Sequence, residues 1–167
     1  MTLLSTAYFP SVSWMALFCQ RKEVYIDLLE TYPKQSYRNR CHIATSHGIM
    51  KLSVPVKKLQ GNKTKTKDIT LDYQQKWQQL HWRSIQTAYQ SAPFFLYYQD
   101  EIENLIKCEY TSLHEMNEQI IQELSALLGI HSEIKYTHDF IPTDNSEEDF
   151  RFNIHPKKDS PFLIQSC

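Results

Sequence analysis

Glycine is nearly absent from this chain, with three copies in 167 residues. Loops that cradle phosphates need several glycines at fixed spacing, and neither a Walker-type nor a dinucleotide-type pattern occurs. Nucleotide binding in those familiar forms is therefore not expected. The four cysteines, Cys19, Cys41, Cys108 and Cys167, make no CxxC pair and no Cys/His set at zinc spacing, so they read as reduced thiols. His42, His47, His114, His131, His138 and His155 are scattered, without a helical HxxxH or HExxH pairing. No metal and no cofactor are expected. No run approaches the ~20 apolar residues of a membrane helix, and no basic region precedes the first apolar stretch. The expectation is a cytoplasmic protein that does not insert into a membrane.

What is present suits a folded globular chain. Hydrophobic residues make up 41% and charged residues 22%, and the length suffices for a core without disulfides or metal. One α+β domain is expected over residues 1–140, followed by a mobile or truncated segment over 141–167 that opens with the acidic Pro142–Asp149. The net charge of −1 hides an asymmetry. Residues 1–85 hold 13 Lys/Arg and 5 Asp/Glu, giving +8; residues 86–167 hold 5 and 14, giving −9. The halves can attract each other within one fold, or the basic half can draw an anionic ligand. Nucleic acid is disfavoured as a partner, because no reading motif accompanies the diffuse charge.

Residues 2–9 read as a strand ending in the aromatic turn Tyr8-Phe9-Pro10. Ser11 or Ser13 then caps a helix striped by Trp14, Leu17 and Phe18. Val24-Tyr25-Ile26 is a short strand. Tyr37–Thr45 and Ile49–Val56 form a hairpin around Ser46-His47-Gly48, with Pro55 at a strand edge or end. The alternating lysines of Gly61–Lys67 suggest a flexible, solvated loop, or a lid that touches phosphate. Lys67–Leu71 is a further strand. Asp72 caps a helix over about 73–91, whose inward face carries Trp77, Leu80, His81, Ser84, Ile85 and Ala88 and which Pro93 ends. Two more helices follow, over 95–107 and over 111–128, the latter capped by Thr111, striped by Ile120, Leu124 and Leu127, and stopped by Gly129. Ile134–Phe140 is a last strand. The fold expected is an N-terminal mixed or antiparallel sheet packed against about three helices from the second half.

On a strand, Arg38 and Arg40 share one face and Asn39 takes the other. Two guanidinium groups side by side call for an anion between them, either a bound phosphate or carboxylate or a structural acid such as Glu30. Lys57 and Lys58 take opposite faces, so one of them can join the arginines. Tyr8, Tyr25, Tyr32 and Tyr37 could stack on a sugar or base, or serve as core aromatics with a wet edge. His81 and Ser84, three apart on a helix, are neighbours. They form either a satisfied core pair or a pocket in which His81 moves a proton.

Tyr8-Phe9-Pro10, Arg38-Asn39-Arg40, Leu52-Ser53-Val54-Pro55-Val56, the Trp77/His81/Ser84 helix and Tyr89 followed by Ala92-Pro93-Phe94-Phe95 together resemble the WbqC-like family of bacterial proteins over about residues 4–130. The family pattern falls on Tyr8, Pro10, Arg38, Asn39, Arg40, Pro55, Lys57, His81, Ser84 and Pro93. The chain departs from it at Ser5-Thr6, where many relatives have Gln-Pro. It departs again at Leu28-Leu29, flanked by Asp27 and Glu30, where many have paired acids, and at Ser160–Cys167, which lack a further apolar motif. The resemblance implies a role in bacterial surface polysaccharide of the O-antigen type, with acyl or amide-forming transfer onto an activated amino sugar. In that reading Arg38, Arg40 and Lys57 hold an anionic ligand such as a nucleotide-activated sugar. Asn39, Tyr8 and Ser84 orient it, and His81 is the catalytic group. The alternative is a non-catalytic protein that binds a nucleotide sugar or a partner enzyme.

Overall fold

The computed structural model describes residues 1–58, 60–142 and 148–158. Its elements run β1 (Leu3–Leu4), α1 (Val12–Cys19), β2 (Glu23–Ile26), β3 (Arg40–Thr45), β4 (Gly48–Ser53), β5 (Val56–Lys58), β6 (Ile69–Leu71), α2 (Trp77–Tyr89), α3 (Phe95–Lys107), α4 (Leu113–Leu128) and β7 (Glu133–Tyr136). This is an α+β mix, but its strands form three small sheets rather than one. β1, β2 and β7 pair in parallel in that order, while β3–β4 and β5–β6 are separate antiparallel pairs. Parallel neighbours need a crossover, and α1 supplies the one between β1 and β2.

The core falls into two clusters. One gathers Leu4, Trp14, Phe18, Val24, Ile26 and Ile121 around the parallel sheet. The other packs Tyr8, Leu52, Trp77, Trp82, Phe95, Ile106 and Ile120 between the hairpin and the helices of the second half. Neighbouring residues of α4, Ile120 and Ile121, thus serve different clusters. That one helix ties the two together.

Several expectations shift by local competition for backbone groups. The first strand is two residues long, because the Ser5 carbonyl is taken by Trp14 Nε1 at 2.9 Å and the Tyr8 N–H by the Tyr37 carbonyl. Tyr37–Asn39 form a turn, so β3 begins only at Arg40 and the same-face argument for Arg38 and Arg40 fails. Pro55 separates β4 from β5, at a strand end as its missing donor requires. The final strand stops at Tyr136.

The Gly61–Lys67 segment is pinned rather than loose. Thr64 and Thr66 are buried while Lys63, Lys65 and Lys67 stay exposed, and the chain bonds back to Glu30, Leu28 and Tyr32. α2 begins at Trp77, since Asp72 spends its carboxylate on the Gln74 N–H four residues before the cap. Leu80 points outward at 62% exposure, and Trp82 takes the inward place instead. The same helix ends at Tyr89, ahead of Pro93.

α4 is capped by Ser112, not Thr111. Ser112 Oγ accepts from the Glu115 N–H and the Glu115 carboxylate accepts from the Ser112 N–H, a reciprocal capping box. Gly129, with φ +65°, closes the helix in the left-handed region. Ser112→Ala is expected to cost about 1 kcal/mol in urea unfolding. Thr111→Ala should leave the midpoint nearly unchanged, and equal losses would reassign the cap.

Residues 148–158 do not trail away from the fold. The Leu3 N–H donates to the Glu148 carbonyl at 2.8 Å and the Phe150 N–H to the Leu3 carbonyl at 2.9 Å. Arg151 is 1% exposed and Ile154 joins the core. The arginine flanked by two phenylalanines is buried and ion-paired here, not solvated. The remainder of the expected mobile segment, residues 143–147 and 159–167, lies outside the described residues.

Candidate functional site

His81 is 2% exposed on α2 and is held at both ends. Its Nδ1 meets the Tyr8 hydroxyl at 2.9 Å, and a second hydrogen bond goes to the Ser53 backbone on β4. Burial pushes the Tyr8 phenol well above its usual range, with the nearby Cys41 thiol adding to the effect, so Tyr8 keeps its proton and donates it. The ring's own N–H then serves the Ser53 carbonyl. Burial also lowers the imidazole to about 4, against a small upward pull from Ser53. At neutral pH His81 is an uncharged link and a weak base.

A cavity of about 220 Å³ lies between hairpin and helix, lined by Lys51, Ser53, Pro55, Gln75, Trp77 and His81 among others. Lys76 also stands on its wall. The sequence reading expected a pocket here, and one exists, but neither Arg38 nor Arg40 lines it. Ser84 does not face it as a reactive group either: its hydroxyl donates back to the Leu80 carbonyl at 2.9 Å.

Arg38 is consumed by structure. Nε and Nη2 meet the two Glu30 carboxylate oxygens at 2.5 and 2.6 Å, with both side chains buried. Nη2 also reaches the Arg151 carbonyl, and the guanidinium lies 5.4 Å from the centre of the Phe152 ring. The structural acid weighed for the arginine pair is therefore Glu30. Next to this pair, Arg151 bonds Asp27 at 2.7 Å and Asp149 at 2.6 Å, all three buried. Asn117 on α4 donates to the Arg38 carbonyl at 2.8 Å and to Thr6 Oγ1 at 3.1 Å. The network sits just past the carboxyl ends of β1 and β2, where ligands of parallel sheets also gather. Arg151, Asp149 and Asn117 were not singled out from sequence. The one available signal was Arg151 between Phe150 and Phe152, an arginine whose neighbours belong in a core.

Arg40 is only half-buried and makes no ion pair among the described residues, its Nε bonding Ser53 Oγ at 3.0 Å. Ser53 thereby touches both Arg40 and His81, one through its hydroxyl and the other through its backbone. His155 is held below its usual value by burial and then by the charges of Arg38, Lys157, Lys158 and Arg40, so these cations share one neighbourhood. Asn39 donates to the Val54 carbonyl at 2.8 Å, and its Oδ1 is buried without a partner. Lys57 turns to Asp72 at 3.6 Å, whereas Lys58 sits 4.8 Å over the Tyr32 ring, which feels Arg38 and Arg40. Of the two lysines, Lys58 is the one on the arginine side. Tyr25 bonds Glu23 on the parallel sheet, and Tyr37 meets the His42 ring edge-on at 5.3 Å.

A larger, mainly apolar cleft of about 350 Å³ opens against Phe9, the neighbour of Tyr8 in the chain. Phe9 and Pro10 meet Cys41, Ile43, Ile85, Tyr89, Pro93 and Phe95 around it. The Cys41 thiol is pushed up to about 12 by burial, so it is a packing group and not a nucleophile. Among the described residues, no group of three or more His, Cys, Asp or Glu side chains is placed to hold a metal ion.

The chain matches the WbqC-like protein family over residues 6–162, and it belongs to that family. The match runs well past residue 130, into the segment that carries Arg151. Rv1507c, an uncharacterized protein of Mycobacterium tuberculosis, is 26% identical over 126 residues, covering 75% of this chain. The chain spans 53% of that relative's length. No solved structure matches. Among the described residues, no helix is long and apolar enough to cross a membrane.

Proposed function

We propose that this WbqC-like protein binds an anionic, nucleotide-activated sugar in bacterial surface-polysaccharide synthesis, and that His81 positions the site instead of moving protons. The observation that carries this reading is the sealing of His81 between Tyr8 and Ser53, with its basicity lowered to about 4. Cations without an ion-pair partner among the described residues lie near it: Lys51 and Lys76 on the cavity wall, and Arg40 on β3, which shares Ser53 with His81. The excess of basic residues in the first half adds a field of the same sign.

A thermal-shift screen against nucleotide-activated sugars tests it, since a ligand that binds the folded state raises the melting temperature. The expected result is an upward shift that is lost in an Arg40→Ala, Lys76→Ala double variant. An unchanged shift in that variant, or none with any activated sugar, overturns the proposal.

A second reading is acyl or amide-forming transfer onto an amino sugar. It is favoured by one observation: His81, bonded to Tyr8, borders a cavity instead of closed core. It requires product from an acyl donor and an amino sugar, with loss of turnover in a folded Tyr8→Phe variant.

A further inference from the structure

We infer that the 350 Å³ cleft beside Phe9 is a binding site for a short acyl chain ending in an uncharged amide or thioester carbonyl. Its size falls in the range of small-molecule sites, roughly 300–1,000 Å³, and its lining is mostly rings and aliphatic groups with few polar atoms, as such sites are. Two of the sequence segments that carry the family resemblance, Tyr8-Phe9-Pro10 and Tyr89 through Phe95, converge on it from opposite ends of the fold.

Both segments contain backbone strain. Phe9 has φ +40° and Phe94 has φ +66°, a region that bulky residues avoid. At the first position the strain turns Phe9 into the cleft wall, where its ring meets Tyr8 edge-on at 5.0 Å. At the second, Phe94 sits between Pro93 and Phe95, which both line the cleft. Strain of this kind persists where the surroundings hold it in place, and it gathers at ligand sites.

The polar atoms of the cleft fix one end of a guest. His42 Nε2 is buried and has no hydrogen-bond partner among the described residues. Tyr89 Oη accepts from the Ala44 N–H at 3.0 Å, which leaves its proton available to an acceptor. A carbonyl oxygen matches these two groups, and the apolar walls match the chain behind it. Burial, then the neighbouring charges of Lys51 and Arg40, lower the His42 imidazole from its usual value, so it meets the guest as a neutral hydrogen-bonding group.

The inference rests on the proposed function only for its biological setting, and its test uses no sugar. Octanamide, titrated calorimetrically into the full chain, is expected to bind saturably with a negative heat-capacity change. Ala92 is exposed on the cleft rim, so Ala92→Trp plugs the mouth without entering the core. It is expected to weaken octanamide at least about tenfold at an unchanged melting temperature, and His42→Leu to weaken it about tenfold. Lys76→Ala, on the wall of the other cavity, should leave octanamide binding intact while weakening the sugar-induced shift, so the two ideas fail separately. No saturable binding by the wild-type chain, or equal affinity in Ala92→Trp, overturns the inference.

Discussion

Truncating Arg38 to alanine is expected to lower the unfolding free energy by about 3–5 kcal/mol, the usual cost of stranding one member of a buried ion pair. Glu30 is 2% exposed, and among the described residues Arg38 is its one ion pair within 4 Å, with the Arg151 charge farther off. Without it the carboxylate keeps just the Thr66 hydroxyl at 3.3 Å. The loss reaches further than one pair. Arg38 also holds the Arg151 carbonyl and packs on Phe152, and Arg151 anchors the segment 148–158 against Asp27. Urea unfolding measures the drop.

A Glu30→Leu, Arg38→Met double variant should recover much of it, because well-packed apolar groups can replace a buried pair at little cost. A loss below about 1 kcal/mol in Arg38→Ala would place the guanidinium in water, as for an exposed pair. Arg38 would then be free to hold a ligand after all.

Acid is expected to destabilise the fold through His81 before the carboxylates contribute. The imidazole titrates at about 4 in the fold and near its ordinary 6.5 once unfolded. The unfolded chain therefore takes up the proton first, and stability falls as pH drops from about 6.5 to about 4, then levels off for this group. The span is about 2.5 pH units at ~1.4 kcal/mol each, or about 3.5 kcal/mol in total. Above pH ~6.5 the stabilising contribution is fully present.

Subtracting the stability curve of His81→Gln from that of the wild-type chain isolates this contribution from the buried acids Asp27, Glu30 and Asp149. Glutamine can still donate to Ser53 and accept from Tyr8, so the variant should fold at neutral pH. A difference curve flat between pH 4 and 6.5 would mean that His81 keeps a normal basicity. Proton transfer by this residue would then return as a working mechanism.

Much of the chain's layout was readable residue by residue. Helical periodicity located α2, α3 and α4, Gly129 marked the end of α4, and the β-branched runs around Ser46-His47 gave the hairpin. These signals are local: they depend on side chains within a turn or a strand of one another. The partnership of strands was not local. Nothing in Leu3–Leu4 or Glu133–Tyr136 announces that β2 lies between them, since parallel pairing joins β2 to β1 across a helix and to β7 across most of the chain.

The site divided along the same line. Residue types picked out Tyr8, Arg38, Asn39, Arg40, Lys57, His81 and Ser84, and the Tyr8, Arg38 and His81 side chains are all buried in the finished fold. What they do there was settled by three-dimensional packing alone. Glu30 swings onto Arg38 because Tyr37–Asn39 is a turn, Ser53 joins Arg40 to His81 because β4 passes between them, and Arg151 returns from the acidic tail to close the network. A charge pattern states which groups need partners. Only packing, by removing water from some and leaving it on others, decides which of them remain available to a ligand.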